Sequence, residues 1–278
     1  MSISKPSAVS TLTARFDLAV VMAARLHANQ IRKGSEARPV PYIAHLLEVT
    51  AIVLSASVPE DLAIAALLHD APEDQGGRPT LEQIRGAFGE RVAGIVEACT
   101  DTFEKKKPDW IERKKHYLEK IIGTDDFDVL LVKCADCLSN ARATLADYRV
   151  IGDEVWKRFK SMPCASNQRW WYASVREAVR PIGVHTRAFA ELNDVVEALL
   201  SETSPCAGCH FDHLTMPMFP TASEDEDLEA LTGGGFDPTH RCPACAHVPL
   251  APGDGLGRLC PNCGNRWMIA VLRDEAQR

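Results

Sequence analysis

Apolar residues recur at helical spacing through most of the first 200 positions, and no convincing strand alternation interrupts them. The first predicted helix reaches about Asn29 and is marked by apolar residues three or four apart: Leu12, Phe16, Ala19, Ala23 and Leu26. Similar patterns predict helices within 41–56, 59–70, 80–88, 90–99, 109–120, 126–148, 152–160, 166–180 and 186–200. The main domain is therefore predicted to be all α.

In the stretch DLAIAALLHDAPED, residues 61–74, an apolar helical run is followed by four ionisable residues. His69 and Asp70 are adjacent, and the proline that follows predicts a bend carrying Glu73 and Asp74. A nitrogen and an oxygen ligand from neighbouring positions suit manganese, iron, cobalt or zinc. A core histidine beside a solvated acidic turn is the alternative interpretation of this stretch taken alone.

Two other positions change that balance. His45 lies in the opening turn of the second predicted helix, among apolar neighbours, where a histidine is more often part of the core. Asp136 falls within or beside the apolar face of the helix at 126–148. Burying a carboxylate without a partner is costly, and a metal ion would remove that cost. Cys134 and Cys137 flank Asp136 and are interpreted as small core residues rather than a redox pair.

Composition is that of an ordinary globular chain. The 278 residues are 46% hydrophobic and 25% charged, and the formal net charge is −7. An acidic balance disfavours nucleic-acid binding as the main activity, although the loop with Arg32, Lys33 and Arg38 is locally basic. No apolar run is long enough to span a bilayer, and charged residues interrupt the N-terminal stretch where a secretory signal would lie. A cytoplasmic protein is expected, without membrane partners.

Cysteines are concentrated at the C-terminal end. Six of the ten follow residue 205, all in C-x-x-C pairs, and this region has five arginines and no lysine against ten acidic residues. One set has two C-x-x-C pairs separated by fourteen residues: Cys242, Cys245, Cys260 and Cys263. Two such knuckles can place four thiolates around one zinc ion, which predicts a small structural zinc-ribbon-like domain over residues 205–278.

The remaining pair opens the sequence Cys206-Ala-Gly-Cys209-His210. Its C-x-x-C-H order is formally that of c-type haem attachment, which an export signal would have to accompany. A second zinc site that combines the two cysteines with His210, His213 or His240 is the other interpretation, and the sequence leaves its role open.

Four ordered blocks resemble the HD-domain phosphohydrolases, most closely the hydrolase domain of the RelA/SpoT family and the stand-alone small alarmone hydrolases. The blocks are HANQIRK at 27–33, PYIAH at 41–45, HDAPED at 69–74 and KCADCLSNAR at 133–142. The resemblance covers roughly residues 12–150. It implies an HD-domain helical bundle over residues 1–204, followed by the zinc-ribbon-like domain over 205–278.

The resemblance also assigns roles to single positions. It implies that a metal, usually manganese, is bound by His45, His69, Asp70 and Asp136. The pair Glu73 and Asp74 would then orient or deprotonate the attacking water. Substrate contacts are implied for four further residues: Arg32, Lys33, Asn140 and Arg142. Three features depart from the family: a longer loop before Pro41, Ala-Pro instead of Thr-Val after Asp70, and Asp101 where a lysine is frequent.

Three hypotheses follow. The first is a manganese-dependent hydrolase that removes the 3′-pyrophosphate of guanosine 3′,5′-bis(diphosphate), the nucleotide of the stringent response, or of a close relative. The second is an HD-type nucleotidase or phosphatase that acts on another phosphorylated nucleotide. The third is a non-catalytic, metal-stabilised regulatory module whose zinc ribbon binds a protein partner.

Overall fold

The computed structural model describes residues 11–103, 109–159 and 164–206, without the side chains of 183–185, and two short C-terminal strands. The chain divides into two compact units, Met1–Pro217 and Met218–Arg278. This division falls later in the chain than the predicted domain boundary at residues 204 and 205. The predicted zinc ligands Cys242, Cys245, Cys260 and Cys263 lie outside the described residues, as do Cys209 and the histidines near it.

Helices make up most of the described part of the first unit, which confirms the all-α prediction there. In chain order they are α1 (Ala14–Leu26), α2 (Ile43–Leu54), α3 (Glu60–Leu68), α4 (Ala71–Asp74), α5 (Arg78–Phe88), α6 (Glu90–Cys99), α7 (Trp110–Ile122), α8 (Phe127–Ile151), α9 (Ala165–Ala178) and α10 (Arg187–Glu202). Short 3₁₀ helices occupy Gly152–Arg158 and Arg180–His185.

The centre of this unit is α3, whose residues Leu62–Leu68 are all buried. A helix that is apolar on every side needs neighbours all round. Here α1, α2, α6 and α8 pack against it. The helix ends at Leu68, so the next two residues, His69 and Asp70, emerge directly from the middle of the core.

The turn after α3 differs from the prediction in one respect. The helix does not continue regularly past Leu68, as predicted, but Pro72 occupies the first turn of a new helix, α4, where the missing N–H group has no helical partner to lose. Glu73 and Asp74 therefore lie on a short helix. Gly76 and Gly77 follow with φ of 123° and 70°, and these left-handed conformations turn the chain sharply into α5.

The longest element, α8, runs beside α2, α9 and α10 and also contacts α3 and α6. Asp126 caps its N-terminus by accepting hydrogen bonds from the backbone N–H groups of Asp128 and Val129. Gly152 ends the helix with φ of 58°, a conformation that favours glycine. Because α8 contacts α3, it brings Asp136 close to His69, the residue that follows α3.

A loop joins α1 to α2 and is closed at its base. Ile31 and Pro41 form an antiparallel bridge, Arg32 N donates to Val40 O at 2.9 Å, and Tyr42 N donates to Gln30 O at 2.9 Å. This closure holds the basic residues of the loop beside the start of α2, and therefore beside His45.

The second unit is described through two strands, β1 (Arg258–Leu259) and β2 (Arg266–Trp267), which pair antiparallel with Arg258 opposite Trp267. Among the described residues, no helix combines the length and the apolar character needed to cross a membrane.

We expect Asp126→Ala to lower the free energy of unfolding by about 1 kcal/mol, because two N–H groups of α8 and the guanidinium of Arg91 lose their acceptor. Chemical denaturation followed by far-ultraviolet circular dichroism measures the change. Asp125→Ala is the matched control, since it removes the same charge from the exposed neighbouring residue. Equal effects of the two substitutions would contradict the capping role.

Candidate metal centre and cavity

The four residues predicted to bind a metal meet at the end of α3. The Nε2 atoms of His45 and His69 lie 3.6 and 3.2 Å from Asp70 Oδ2. Asp136 Oδ1, from α8, is 3.3 Å from His45 Nε2 and 3.7 Å from His69 Nε2. One ligand atom each from His45, His69 and Asp70 lies within 4.8 Å of the others. The fold thus brings together three separate segments around one point.

The ring of His69 is completely buried and has a defined orientation. Its Nδ1 atom lies 2.7 Å from the carbonyl oxygen of Ala66. A carbonyl can only accept a hydrogen bond, so Nδ1 carries a hydrogen, and Nε2, which faces the two carboxylates, is the nitrogen left for a metal or a second proton.

His45 is oriented through a longer path. Its Nδ1 atom is 2.8 Å from Ser139 Oγ, and this hydroxyl donates to Glu48 Oε2 at 2.7 Å. Because Ser139 gives its single hydrogen to Glu48, it accepts one from Nδ1 of His45. The Nε2 atom of His45 therefore also presents a lone pair.

Both Nε2 atoms are buried, and within the described residues neither has a hydrogen-bond partner of good geometry. Buried polar atoms without a partner are rare in folded proteins. Two imidazole nitrogens and two carboxylate oxygens that face one another are a donor set for a divalent transition metal. The residues present therefore fit a bound metal, and the first-row ions from manganese to zinc suit it.

Groups other than the histidines also hold the two carboxylates. Tyr42 donates from its hydroxyl to Asp70 Oδ2 at 2.6 Å. Lys133 Nζ lies 2.8 Å from Asp136 Oδ2, and Asn140 Nδ2 donates to Asp136 Oδ1 at 2.6 Å. Burial opposes ionisation of Asp136, but the Lys133 ammonium and the imidazoles outweigh it and hold its pKa well below the usual range.

Protons compete with a metal for the same atoms. Burial disfavours the charged form of His69, yet the carboxylates of Asp70 and Asp136 outweigh this effect and raise its pKa well above the usual value. A metal must displace that proton to bind Nε2, so metal affinity falls as the pH falls.

The acidic pair on α4 lies beside the cluster. Glu73 Oε2 accepts a hydrogen bond from the backbone N–H of Asp101 at 3.3 Å, and Asp74 Oδ2 accepts one from Gln30 Nε2 at 2.7 Å. Both carboxylates line the same cavity as Asp70 and Asp136. They are therefore held within the cavity, separate from the proposed metal ligands.

This cavity has a volume of about 750 Å³, which is large enough for a nucleotide. Its lining includes the loop between α1 and α2 and an aromatic surface from α7 and α9. On that surface the Trp171 ring centroid lies 6.5 Å from that of Trp110 and 6.1 Å from that of Tyr117.

Three of the four predicted substrate contacts line the cavity and one does not. Arg32, Lys33 and Asn140 are lining residues, and Arg32 Nη2 donates to Asn140 Oδ1 at 3.0 Å. Arg142 is not a lining residue. Its guanidinium pairs with Glu191 and lies 3.6 Å from Glu48, so it contacts α10 and α2.

Asp101, which stands where the family frequently has a lysine, is paired with two cations of α7. Its Oδ2 atom accepts hydrogen bonds from Arg113 and, at 2.7 Å, from Lys114. Lys114 also lies 4.3 Å from the centroid of the Trp171 ring and lines the cavity. Burial lowers the pKa of Lys114, although Asp101 opposes the change. Lys114 of α7 therefore places a cation at the aromatic surface of the cavity.

Sequence patterns alone assign no role to Tyr42, Ser139 or Lys133, which contact the proposed metal ligands Asp70, His45 and Asp136. The pattern of α7 predicts a solvated face that includes Lys114, but this prediction is wrong, since the side chain of Lys114 is only 17% exposed. A signal existed for Lys133, because a lysine three residues before a buried aspartate on a helix is placed to pair with it. Ser139 and Lys114 act across contacts between distant segments, which spacing in the sequence does not show.

Comparison with known proteins agrees with this geometry. The model of the HD domain family matches residues 19–156, a range that includes all four proposed metal ligands. The chain therefore contains an HD domain. This domain has homology to the SpoT and RelA hydrolases, as the relatives below show.

A guanosine-3′,5′-bis(diphosphate) 3′-pyrophosphohydrolase of Aquifex aeolicus is 38% identical over 117 residues, which are 42% of this chain and 16% of that protein. A probable enzyme of the same name from Synechocystis is 34% identical over 122 residues, 42% of this chain and 15% of that one. A GTP pyrophosphokinase of Brucella ovis is 35% identical over 129 residues, 45% and 16% of the two chains. This chain thus spans about a sixth of these relatives.

Among solved structures, one titled as a metazoan ortholog of SpoT that hydrolyses ppGpp is 25% identical, with a TM-score of 0.49. The match covers 70% of this chain and 97% of that one. A Listeria monocytogenes protein, lmo0812, is 28% identical with a TM-score of 0.49, and the match covers 56% of this chain and 99% of the other.

We expect Ser139→Ala to weaken binding of manganese by roughly 10–100-fold, because His45 loses the hydrogen bond that fixes its tautomer and orientation. Calorimetric titration of metal-depleted protein measures the affinity. Ser201→Ala, an exposed serine on α10, serves as the matched control. Unchanged affinity in Ser139→Ala would show that the Ser139–Glu48 path does not support the ligand.

Proposed function

We propose that the chain is a metal-dependent phosphohydrolase that removes the 3′-pyrophosphate of guanosine 3′,5′-bis(diphosphate) or of a related nucleotide. The observation that carries the proposal is the convergence of two buried, partnerless imidazole nitrogens with two carboxylates at the wall of a 750 Å³ cavity. Homology to enzymes named for this reaction supports the choice of substrate.

His45, His69, Asp70 and Asp136 would hold the metal, and we propose manganese as the native ion. The bound ion would supply a water of lowered pKa and polarise a phosphoryl oxygen. Four protein ligands leave coordination positions free for these two oxygens. The hydrogen bonds described above fix the orientation of the two imidazoles and the two aspartates. The four ligand atoms are therefore held close together, where one ion could contact them.

Glu73 and Asp74 are the proposed general bases. One carboxylate takes a proton from a water molecule. The oxygen of that water attacks the phosphorus atom attached to the 3′-oxygen of the ribose. The bond between that phosphorus and the 3′-oxygen breaks, pyrophosphate leaves, and the 3′-oxygen receives a proton. With guanosine 3′,5′-bis(diphosphate), the products are GDP and pyrophosphate.

The charges that line the cavity suit an anionic ligand. The described lining residues carry six cations and six carboxylates: Arg32, Lys33, Arg38, Lys114, Lys133 and Arg158, and Asp70, Glu73, Asp74, Asp101, Asp136 and Asp147. A divalent ion makes this balanced set positive. The cations come from several segments of the chain, so a ligand with phosphates at two positions can contact more than one of them.

Asp101 supports a second candidate for the substrate. The family frequently has a lysine at this position, so Asp101 replaces a positive charge in the cavity by a negative one. This change favours an HD-type nucleotidase or phosphatase that accepts a different phosphorylated nucleotide. Lys114 offers a phosphate contact in either case. A panel of phosphorylated nucleotides, each incubated with manganese-loaded protein, separates the two assignments.

For the C-terminal region we propose a structural zinc ion bound by Cys242, Cys245, Cys260 and Cys263, in a domain that begins near residue 205. The antiparallel pair β1 and β2 supports it, because these strands lie on either side of the Cys260 and Cys263 knuckle in the sequence. A ribbon of this kind would offer a surface to a protein partner.

Replacing the proposed bases should separate catalysis from metal binding. We expect the double variant Glu73→Gln with Asp74→Asn to lower kcat by roughly 10²–10⁴-fold while still binding manganese. Asp70→Ala should lose both properties. Release of pyrophosphate from guanosine 3′,5′-bis(diphosphate) measures the rate, and Glu82→Gln on the exposed face of α5 is the control.

Two outcomes would contradict the proposal. Intact nucleotide after incubation with manganese-loaded wild-type protein would reject this substrate. Ligand binding without turnover of any nucleotide in the panel would instead support a regulatory module, and a protein partner captured through residues 205–278 would strengthen that conclusion.

The role of Lys114 is tested by Lys114→Met. We expect KM to rise roughly 10–100-fold with little change in kcat, since a charge-assisted contact to a phosphate is lost. Lys115→Met removes the same charge from the next residue of α7, which is largely solvent-exposed and lies near Glu112. Steady-state kinetics of the two variants measure the difference in KM. Equal KM values would show that Lys114 does not bind the substrate.

A further inference from the structure

Arg158, the last residue of the 3₁₀ helix after α8, lines the cavity but has no individual role in the proposed hydrolysis. Its side chain is only 11% exposed. Nη2 donates to Thr144 Oγ1 at 2.6 Å, and Nη1 pairs with Asp147. The guanidinium carbon also lies 5.1 Å from the centroid of the Phe159 ring. These contacts hold a cation in one place at the edge of the cavity.

The basic loop between α1 and α2 packs against this arginine. Gly34 has φ of 84°, and a Cβ atom at this position would lie 3.0 Å from Cδ of Arg158. The loop backbone therefore approaches the arginine as closely as a residue without a side chain allows. The segment before Pro41 is also longer than in the family that the sequence resembles. The contact with Arg158 thus involves a part of the chain that departs from that family.

Arg32 and Arg158 contact consecutive turns of α8. Arg32 Nη2 donates to Asn140 Oδ1 at 3.0 Å, and Arg158 contacts Thr144, four residues further along the helix. Residues four apart lie on the same face of a helix, with their Cβ atoms about 5–6 Å apart. Burial raises the pKa of Tyr172 to about 12, and the positive charges of Arg158 and Arg32 both oppose this rise. A phosphate or diphosphate group between the two arginines would contact both.

This pair of arginines lies along α8 from the proposed metal centre. Asp136 is one turn before Asn140, whose Nδ2 atom donates to Asp136 Oδ1 at 2.6 Å. Asp136 and Thr144 both line the cavity, and they are eight residues apart, which is about 12 Å along the helix axis. A ligand that reaches from the metal to Arg158 must therefore carry a second anionic group, separate from the one at the metal.

We infer, on the basis of the function proposed above, that Arg158 and Arg32 bind the phosphate group of the substrate that is not hydrolysed. The cavity would thereby select nucleotides that are phosphorylated at both the 3′ and the 5′ position of the ribose. The planar guanidinium group suits a phosphate, because it can donate two parallel hydrogen bonds to it. Asp147, which now pairs with Arg158, is 55% exposed, so the phosphate competes with a carboxylate that solvent screens.

Substrate discrimination is the first test. Manganese-loaded full-length protein is assayed with guanosine 3′,5′-bis(diphosphate) and with guanosine 3′-diphosphate, which lacks the 5′ phosphates. We expect the wild type to have a KM roughly 10–100-fold lower for the first nucleotide, and Arg158→Met to lose most of this difference. A merely structural role would change the kinetics of both substrates alike. Arg149→Met, which alters an exposed arginine of α8 paired with Glu202, is the matched control and should keep the discrimination.

A second test measures binding without turnover, so it separates the phosphate site from the proposed reaction. GDP and guanosine are titrated calorimetrically into metal-depleted wild type, Arg158→Met and Arg149→Met. We expect GDP to bind the wild type and Arg149→Met roughly 10–100-fold more tightly than guanosine does, and Arg158→Met to lose most of this preference. Equal guanosine affinity in all three proteins would show that the cavity is intact in the variants.

The outcomes for the two proposals differ. A preference for GDP that survives in Arg158→Met, or no preference in the wild type, would overturn the phosphate site even if the protein hydrolyses guanosine 3′,5′-bis(diphosphate). A preference that depends on Arg158, without hydrolysis of that nucleotide by the manganese-loaded wild type, would support the phosphate site and reject the proposed substrate.

Discussion

The first unit depends on the meeting of two imidazoles and two carboxylates at the end of a fully buried helix. Burying these groups without compensation would be costly, since Nε2 of His45 and of His69 have no partner of good geometry among the described residues. The carboxylates are compensated by Tyr42, Lys133 and Asn140. A divalent ion held as proposed would compensate the nitrogens, so the stability of this part of the core and the proposed chemistry would depend on the same four side chains.

Much of this arrangement could be predicted from the sequence. The apolar run of α3 predicts a buried helix, and the groups that end it, His69 and Asp70, must then emerge inside the core. Asp136 falls on the apolar face of α8, which predicts a carboxylate in need of a partner. These inferences hold because each depends on the pattern within one helix. The short helix α4 was not predicted, because a proline in the first turn of a helix and a proline at a bend cannot be distinguished from the sequence.

The rest depends on contacts that no local pattern contains. Ser139 orients His45 because α8 and α2 lie side by side, and Asp101 meets Lys114 because the start of α7 lies beside the end of α6. Arg142 is a residue for which the motif and the contacts in the fold differ. Its motif suggested a substrate contact, but it lies two residues after Asn140, and on a helix that step turns the side chain to another face. The described geometry places it between α2 and α10.

That placement gives Arg142 a different significance. It pairs with Glu191 of α10 and approaches Glu48, and Glu48 in turn accepts the hydroxyl of Ser139, which supports His45. A continuous series of polar contacts therefore connects α10 with one imidazole of the proposed metal site. The packing of the first turns of α10 against Arg142 therefore bears, through Glu48 and Ser139, on the orientation of His45.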